Sequence, residues 1–414
     1  MPLAFRHAVE WMNSDKKRVA IIGGGPGGLM AAERLAKAGA QVTIYDRMTS
    51  LGRKFLMAGR GGLNLTHSED FEHFLKRFGS TAAVLEPALR AFPPQALRNW
   101  CEELGEPTFV GSSGRVFPRS FKASPLLRAW LRRLATLGVE VKLRHQFMGW
   151  GTDGALRFAT PDGEISQNAD ATLLALGGAS WPKLGSDGGW VKVLRDRGIE
   201  VADLKPANCG FDVAWSDILK SRFAGEPLKT IALTFGGETV RGEAMVTQNG
   251  LEGGAIYALS ARLREHLLRE GSAVLSIDLR PDLDQATLER KLAAPRGKQT
   301  VSTFLRKAAG LSPVAIALLR EAGPMPVEAQ ALVERIKSLG LNLVGIRPIE
   351  RAISTAGGIA FSEIDGHFML RRLPGVFCCG EMLDWEAPTG GYLLQATFST
   401  AFSASDGIAA YLKL

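Results

Sequence analysis

The sequence predicts an α/β protein, a domain with parallel strands interrupted by a long insertion. Three observations carry this. Residues 18–46 read strand, helix, strand, with glycines crowded at the first turn. Near residue 196 the texture changes to short segments between glycine turns, and then to helical stretches. From residue 346 the first texture returns, so one domain is split in sequence and the stretch between its halves is inserted.

Taken in order, residues 18–23 (RVAIIG) are short, apolar and β-branched, as a buried strand requires. Residues 27–38 read as a helix and 41–46 (QVTIYD) as a second strand. A unit of this length implies parallel neighbours joined by a right-handed crossover. Residues 52–66 (GRKFLMAGRGGLNLT) are expected as a long basic, glycine-rich loop. Three helical stretches follow between Glu69 and Leu104, then strands near 107–118, a helix at 123–137 and a strand at 139–145. Residues 155–168 alternate as a hairpin, and the apolar strand 171–176 ends in Gly177-Gly178. Short strands are expected over 208–247, and helices over 256–270 and 284–339. An apolar strand at 376–379 precedes a helix starting near Thr389. The expected domains are 17–195 with 346–414, a β-rich insert of 196–255 with about 340–345, and a small helical domain, 256–339.

Composition narrows the function classes. Glycine makes up 47 of 414 residues without a three-residue period, and apolar residues reach 46%, so the chain is neither collagenous nor disordered. Cys101, Cys209, Cys378 and Cys379 have no CxxC spacing, and six scattered histidines add no metal cluster. Adjacent Cys378 and Cys379 read as buried thiols, because a disulfide fits poorly across one peptide bond. The first 15 residues lack a signal-peptide core and the apolar runs are too short for a membrane span, which predicts a cytoplasmic protein with no membrane partner. The net charge of +8 is uneven, with seven cations and one anion between Arg119 and Arg144. A solvated helix face and a nucleic-acid patch both fit that run.

Gly23, Gly25 and Gly28 form GxGxxG between a strand and a helix, and Ala32, Leu35, Gly39, Val42 and Asp46 complete a dinucleotide-binding fingerprint. The helix N-terminus offers free N–H groups to a pyrophosphate, and Asp46, at the end of the second strand, can accept ribose hydroxyls. The fingerprint alone does not separate FAD from NAD. The loop after it could fold over a long cofactor, with Arg53 and Lys54 near phosphates. At the other end, strand 376–379 runs into Gly380-Glu381, and TGGYLLQ (389–395) opens a helix. That helix N-terminus can stabilise negative charge on a reduced flavin. Of the 47 glycines, 22 fall within 23–62, 177–189 and 357–391, where close backbone would serve one extended cofactor.

With these motifs, the sequence resembles the BaiN/YhiN-like NAD(P)/FAD-dependent oxidoreductases of bacteria. The matching segments are GGGPGG (23–28), GRKFLMAGRGGLNLT (52–66), GRVFPRSFKAS (114–124), LALGGASWPKLGSDG (174–188), TAGGIAFSEID (355–365) and CGEMLDWEAPTGGYLLQATFSTAFSA (379–404). Two departures mark a divergent subfamily: Leu63 replaces the cysteine of the usual GGGRCNVTN pattern, and TQNGLEGG (247–254) replaces THxGLSGP. The resemblance implies a glutathione-reductase-like FAD-binding Rossmann domain with an inserted β-rich, barrel-like domain and a small helical domain. It implies non-covalent FAD held by Gly23, Gly25, Pro26, Gly27, Gly28, Asp46, Arg47, Arg53, Lys54, Gly62, Asn64 and Thr66. Phe147, Gly177, Gly380, Glu381, Gly391 and Tyr392 complete the implied set.

A flavin carries its own redox reactivity, so the protein has only to place a hydride donor and an acceptor and to supply a proton. Tyr392 is the first candidate for that proton, with Glu381 and His67 behind it. No second GxGxxG exists, so NAD(P)H, the expected electron donor, would visit the flavin transiently. The expected function is reduction of a small apolar or conjugated substrate. The alternatives are a flavoprotein that modifies or binds RNA, and a flavin redox sensor without turnover.

Overall fold

A computed structural model describes residues 16–414, which form two compact units: the described residues up to Lys205 with Ser354–Leu414, and Pro206–Ile353. The expectation about a signal peptide falls on the first 15 residues, outside the described ones. Among the described residues, no helix is long and apolar enough to cross a membrane.

The first unit is built on five parallel strands. In chain order they are β1 (Arg18–Ile22), β2 (Gln41–Asp46), β3 (Glu140–Leu143), β4 (Ala171–Leu174) and β5 (Val376–Cys378), and their spatial order is β5-β4-β1-β2-β3. β1 lies between β2 and β4 and is buried from Val19 onward, which explains its continuous apolar run. β2 alternates. Val42 and Ile44 are buried on one face, while Tyr45 on the other stacks on Phe158 at 4.4 Å between ring centroids. Phe158 belongs to a three-stranded antiparallel sheet, Gln146–Trp150, Leu156–Thr160 and Gly163–Gln167.

Helix Pro26–Lys37 packs against the C-terminal helix Tyr392–Leu412, which is apolar along most of its length. The approach at their crossing is close. A Cβ on Gly27 would lie 3.2 Å from Cys379 Sγ and 3.4 Å from Thr397 Cγ2. Arg34 spans the same pair of helices, bonding Asp406 at 2.7 Å and lying 3.6 Å over the Phe402 ring.

Three local expectations change. The 52–66 stretch contains a helix, Arg53–Ala58, because RKFLMA holds good helix formers with glycine only at its ends. The hairpin at 155–168 has a third strand, Gln146–Trp150, whose alternation is hidden by a bulge at Gly149. β3 stops at Leu143 because Arg144 turns to φ 58° and donates its N–H to Met48 O.

The second unit carries a seven-stranded antiparallel sheet with a core of its own. Its central pair, Pro227–Phe235 and Glu238–Val246, is flanked by Ala273–Asp278 and Gly250–Glu252. The sequence boundary near 196 shifts to Pro206, and the stretch 256–339 is not a separate helical domain. Helix Gly254–Glu270 packs on the sheet, strand Ala273–Asp278 is part of it, and Gln285–Lys337 holds four short helices between two neighbouring strands.

Candidate cofactor and active site

The turn after β1 is tightly constrained. Gly23 sits at φ 108° and donates its N–H to Tyr45 O. A Cβ on Gly28 would lie 1.9 Å from Gly23 O, so only glycine lets the helix approach the strand. Gly25 is different: it caps the helix without a side-chain bond, and a Cβ there would meet no atom within 4 Å. Pro26 occupies the first helical position, which needs no N–H donor. The N–H groups of Gly27 and Gly28, in the first turn, precede the first intrahelical bond and lie at the positive end of the helix dipole.

Asp46 ends β2 beside this turn. Its two oxygens accept from Gly24 N and Met48 N, each at 2.7 Å, and each retains a lone pair. Arg47 bonds Asp187 at 2.5 Å, and Arg53 reaches Ser50 only at 3.5 Å. Lys54, expected near phosphates, is held by protein partners. Its Nζ donates to Glu381 Oε2 at 2.7 Å and to Ser180 Oγ at 2.6 Å. Glu381 also accepts from Thr355 N at 3.0 Å and Gly178 N at 3.3 Å, so Lys54 and Glu381 knit four segments together. Gly177 stands at φ 71° in this network, with its carbonyl bonded by Trp190.

The stretch 62–66 runs extended beside Arg115–Pro118. Leu63 N donates to Phe121 O, Leu65 N donates to Val116 O, and Thr66 pairs with Val116. Its other neighbour is the head of the C-terminal helix: a Cβ on Gly391 would lie 2.5 Å from Thr66 Cα. Gly390 and Gly391, at φ 143° and 95°, delay that helix from the expected Thr389 to Tyr392. Gly380, at φ 77°, bonds Thr400 and Trp385. Phe147 lies two residues after His145, whose N–H donates to Asp46 O. The Phe147 ring packs on Trp150 and Phe158.

Tyr392 is 4% exposed, and its hydroxyl donates to Glu69 at 2.5 Å. Burial, then the bond to Glu69, raises the phenol well above its ordinary value. Burial pushes Glu69 up, but the Arg77 guanidinium and the Tyr392 hydroxyl outweigh it and hold this carboxyl below its ordinary value. The hydroxyl expected to supply a proton is thus committed to a carboxylate that Arg77 already pairs, which makes it a poor proton source in this arrangement. His67 stacks on Tyr392 at 5.5 Å, accepts Glu69 N–H at Nδ1 and meets Ser113 O at Nε2, which makes it a turn brace. Cys378 and Cys379 are buried free thiols, with Cys379 pushed up to about 12 by burial.

Five buried polar atoms around these segments have no hydrogen-bond partner among the described residues: Arg47 Nε, Arg53 Nε, Asn64 Oδ1, Thr66 Oγ1 and Ser186 Oγ. Buried polar groups are seldom left so. Two guanidinium donors, an amide oxygen and two hydroxyls suit a ligand that carries phosphates at one end and a polar ring system at the other. Together with the opening at Gly25, they fit an extended dinucleotide such as FAD. Sequence reasoning missed Gly24, where a Cβ would lie 2.2 Å from Leu51 Cδ2, and also missed Ser180, Ser186 and Thr355. The 177–189 glycine cluster was the signal for the serines. Among the described residues no group of acidic, histidine or cysteine side chains could hold a metal ion.

The sequence profile of the HI0933-like protein Rossmann domain matches residues 17–407. The chain belongs to this family. With it comes the Rossmann-type FAD-binding fold, and the HI0933-like chain is an FAD-dependent oxidoreductase. It is 26% identical to the 3-dehydro-bile acid delta(4,6)-reductase of Clostridium scindens, over 94% of this chain and 98% of that protein. It is 24% identical to the ribosomal RNA dihydrouridine synthase of Haemophilus influenzae, over 93% and 96%. The 3-ketosteroid delta1-dehydrogenase of Sterolibacterium denitrificans shares the fold, with a TM-score of 0.55 at 13% identity over 95% of this chain and 99% of its own.

Proposed function

We propose that this HI0933-like protein takes hydride from NAD(P)H and reduces a carbon–carbon double bond in a small conjugated organic substrate. The observation that carries the cofactor half is the set of five buried polar atoms around the glycine-rich segments that have no hydrogen-bond partner among the described residues. Bound FAD would supply a two-electron store between donor and acceptor. The first-turn amides of Gly27 and Gly28, with Gly23, Gly25 and Pro26 shaping the turn, would hold the pyrophosphate. Asp46 would take the ribose, and Arg47 and Arg53 would face phosphate oxygens. Gly62, Asn64 and Thr66 would line one side, Gly177, Gly380 and Glu381 the ribityl side, and backbone at Phe147 the adenine. The helix head at Gly391 and Tyr392 would face the flavin edge, where reduction adds negative charge. Lys54 would fix Glu381 rather than touch phosphate.

Support for the acceptor class comes from two relatives whose names both describe saturation of a double bond, in a bile acid and in uridine. Anaerobic NADH or NADPH should bleach the flavin absorbance of the purified protein, and oxidised enones added afterwards should restore it. A protein that cannot be loaded with FAD, or whose flavin neither nicotinamide bleaches, would sink this reading.

A second reading, reduction of uridine in RNA, has its own observation. Arg128 and Arg132 are exposed one helical turn apart and make no ion pair among the described residues, on a chain of net charge +8. Binding to ribosomal RNA that falls steeply with salt, together with dihydrouridine formed on incubation, would favour it.

A further inference from the structure

An aromatic surface beside the candidate site is unused by the proposed cofactor contacts. Thr66–His67, Arg115–Pro118 and Thr108–Val110 form a three-stranded antiparallel sheet. Phe109 pairs with Phe117 and His67 with Arg115, so these four side chains share one face, while Val116 and Pro118 are buried behind it. Phe121 closes on the pair, with ring centroids 5.0 Å from Phe109 and 5.4 Å from Phe117. It is 48% exposed and stands at φ 58°, where a bulky residue is rare. Two bonds hold it there: its N–H donates to Pro118 O at 2.8 Å, and its carbonyl accepts from Leu63 N at 2.9 Å. An exposed ring kept in an unfavourable backbone conformation points to a use for the ring.

Charge surrounds it. Arg60, Arg115, Arg119 and Lys122 are exposed and make no ion pair among the described residues. Glu106 is the anion that faces them, and its carboxylate accepts from Ser120 Oγ at 3.0 Å. The surface also leads to the candidate site. A Cβ on Gly62 would lie 3.2 Å from the Phe121 ring, and four residues later Thr66 touches Gly391. Four residues of extended chain cover at most about 14 Å, within the span of a stretched dinucleotide. On the sheet face itself the path runs from Phe117 past Arg115 and His67 to Tyr392.

We propose that this surface docks the adenosine-phosphate half of a pyridine dinucleotide, with the base stacked on Phe121 and the phosphates facing the four cations. This rests on the reading that NAD(P)H is the electron donor, and it supplies a docking site where the sequence has no second glycine fingerprint. A polynucleotide track would need successive aromatic steps. Phe121 and Tyr411 are the aromatic residues with large exposure among the described residues, and Tyr411 packs on Phe377 at the opposite end of the C-terminal helix from Tyr392, so the surface offers a single base step.

The test uses the full, FAD-loaded chain and Phe121→Gly, which removes the ring and suits the positive φ. Calorimetric binding of NAD+ and NADP+ reads docking without turnover. The variant should melt no lower than the wild type and be reduced normally by dithionite, yet bind the preferred nucleotide roughly fivefold to a hundredfold more weakly. Arg119→Glu with Lys122→Glu should weaken binding and flatten its salt dependence. Unchanged nucleotide binding in Phe121→Gly overturns the proposal, as does a variant that loses affinity for oligouridine RNA but not for dinucleotide. A wild-type flavin reduced by dithionite but by neither nicotinamide defeats the electron-donor reading and this proposal with it. A wild-type flavin bleached by NAD(P)H beside an indifferent variant defeats this proposal alone.

Discussion

Alanine at Gly25 separates cofactor binding from folding. Gly25 stands at φ −82° and ψ −176°, which alanine adopts freely, and its Cβ would meet no protein atom within 4 Å. Alanine is a weaker N-cap than glycine, but it restricts the unfolded chain by about 0.4–1 kcal/mol. The two effects oppose each other, so the apoprotein should keep its stability to within about 1 kcal/mol. The same methyl group would stand where a pyrophosphate approaches the first-turn amides. Losing one hydrogen bond to a charged group costs about 1.5–3 kcal/mol, which is roughly a tenfold to a hundredfold rise in Kd. Two measurements decide the matter: thermal unfolding of the apoprotein, and FAD titration followed by quenching of flavin fluorescence. Gly28→Ala is the contrast, because its Cβ would lie 1.9 Å from Gly23 O and should damage folding and binding together. Wild-type FAD affinity in Gly25→Ala would refute the placement of phosphate on this helix. A collapsed fold in Gly25→Ala would refute the claim that the space above it is free of protein.

Asp46→Ala should weaken FAD by about 1–3 kcal/mol and also loosen the turn, because Gly24 N and Met48 N lose their acceptors; an unchanged FAD Kd would mean the carboxylate is not on the ribose. Glu33, 2% exposed, accepts from Lys37, Arg133 and Trp100; Lys37 is half-exposed and Arg133 keeps Glu103, so Glu33→Ala should cost about 1–3 kcal/mol in urea unfolding, chiefly by leaving the buried Trp100 N–H unpaired. Burial raises Glu33, but those three donors outweigh it and hold its carboxyl below 4.5. The folded value being the lower one, this stability is complete above 4.5 and is lost as pH falls through the folded value, so Glu33→Gln should flatten the acid limb of the stability profile. Tyr392→Phe should cost about 1 kcal/mol of stability and leave acceptor reduction within about threefold; loss of acceptor reduction with normal flavin reduction would restore Tyr392 as the acid.

The βαβ unit was legible because its pattern is redundant. Buried β1, three glycines at fixed offsets and Asp46 all report one local geometry. The loop at 52–66 was less so: its flanking glycines dominate the composition, and they mask six helix-forming residues between them. Strand Gln146–Trp150 was invisible because Gly149, at φ 107°, breaks the two-residue period at a bulge. The partners of Lys54 and Tyr392 could not be read at all. Glu381 lies 327 residues from Lys54, and Glu69 lies 323 from Tyr392, so no spacing rule connects them. Sequence supplies the charge; only the folded chain supplies what neutralises it.

That neutralisation orders the electrostatics of the site. Lys54 and Glu381 cancel at 2.7 Å, and each is mostly shielded from solvent. The pair therefore adds little net field and acts as a tie between the helix after Gly52 and the glycine segments at 177–178 and 380–381. Among the described residues Arg53 has no ion pair, while Arg47 is half-satisfied by Asp187. On the proposed reading, a diphosphate would meet Arg47, Arg53 and the helix at Pro26, whereas the flavin edge would meet the uncharged N-terminus at Gly391. The division is chemically sensible. A diphosphate carries fixed charge and gains from full cations. A flavin edge becomes negative only on reduction, so a helix dipole stabilises the reduced state without burying a permanent charge against the oxidised one. Had Lys54 faced the flavin unpaired, it would have favoured the reduced form more strongly and slowed release of the hydride to an acceptor. On that reading, Glu381 would, by holding Lys54, leave the site able both to take electrons and to give them up.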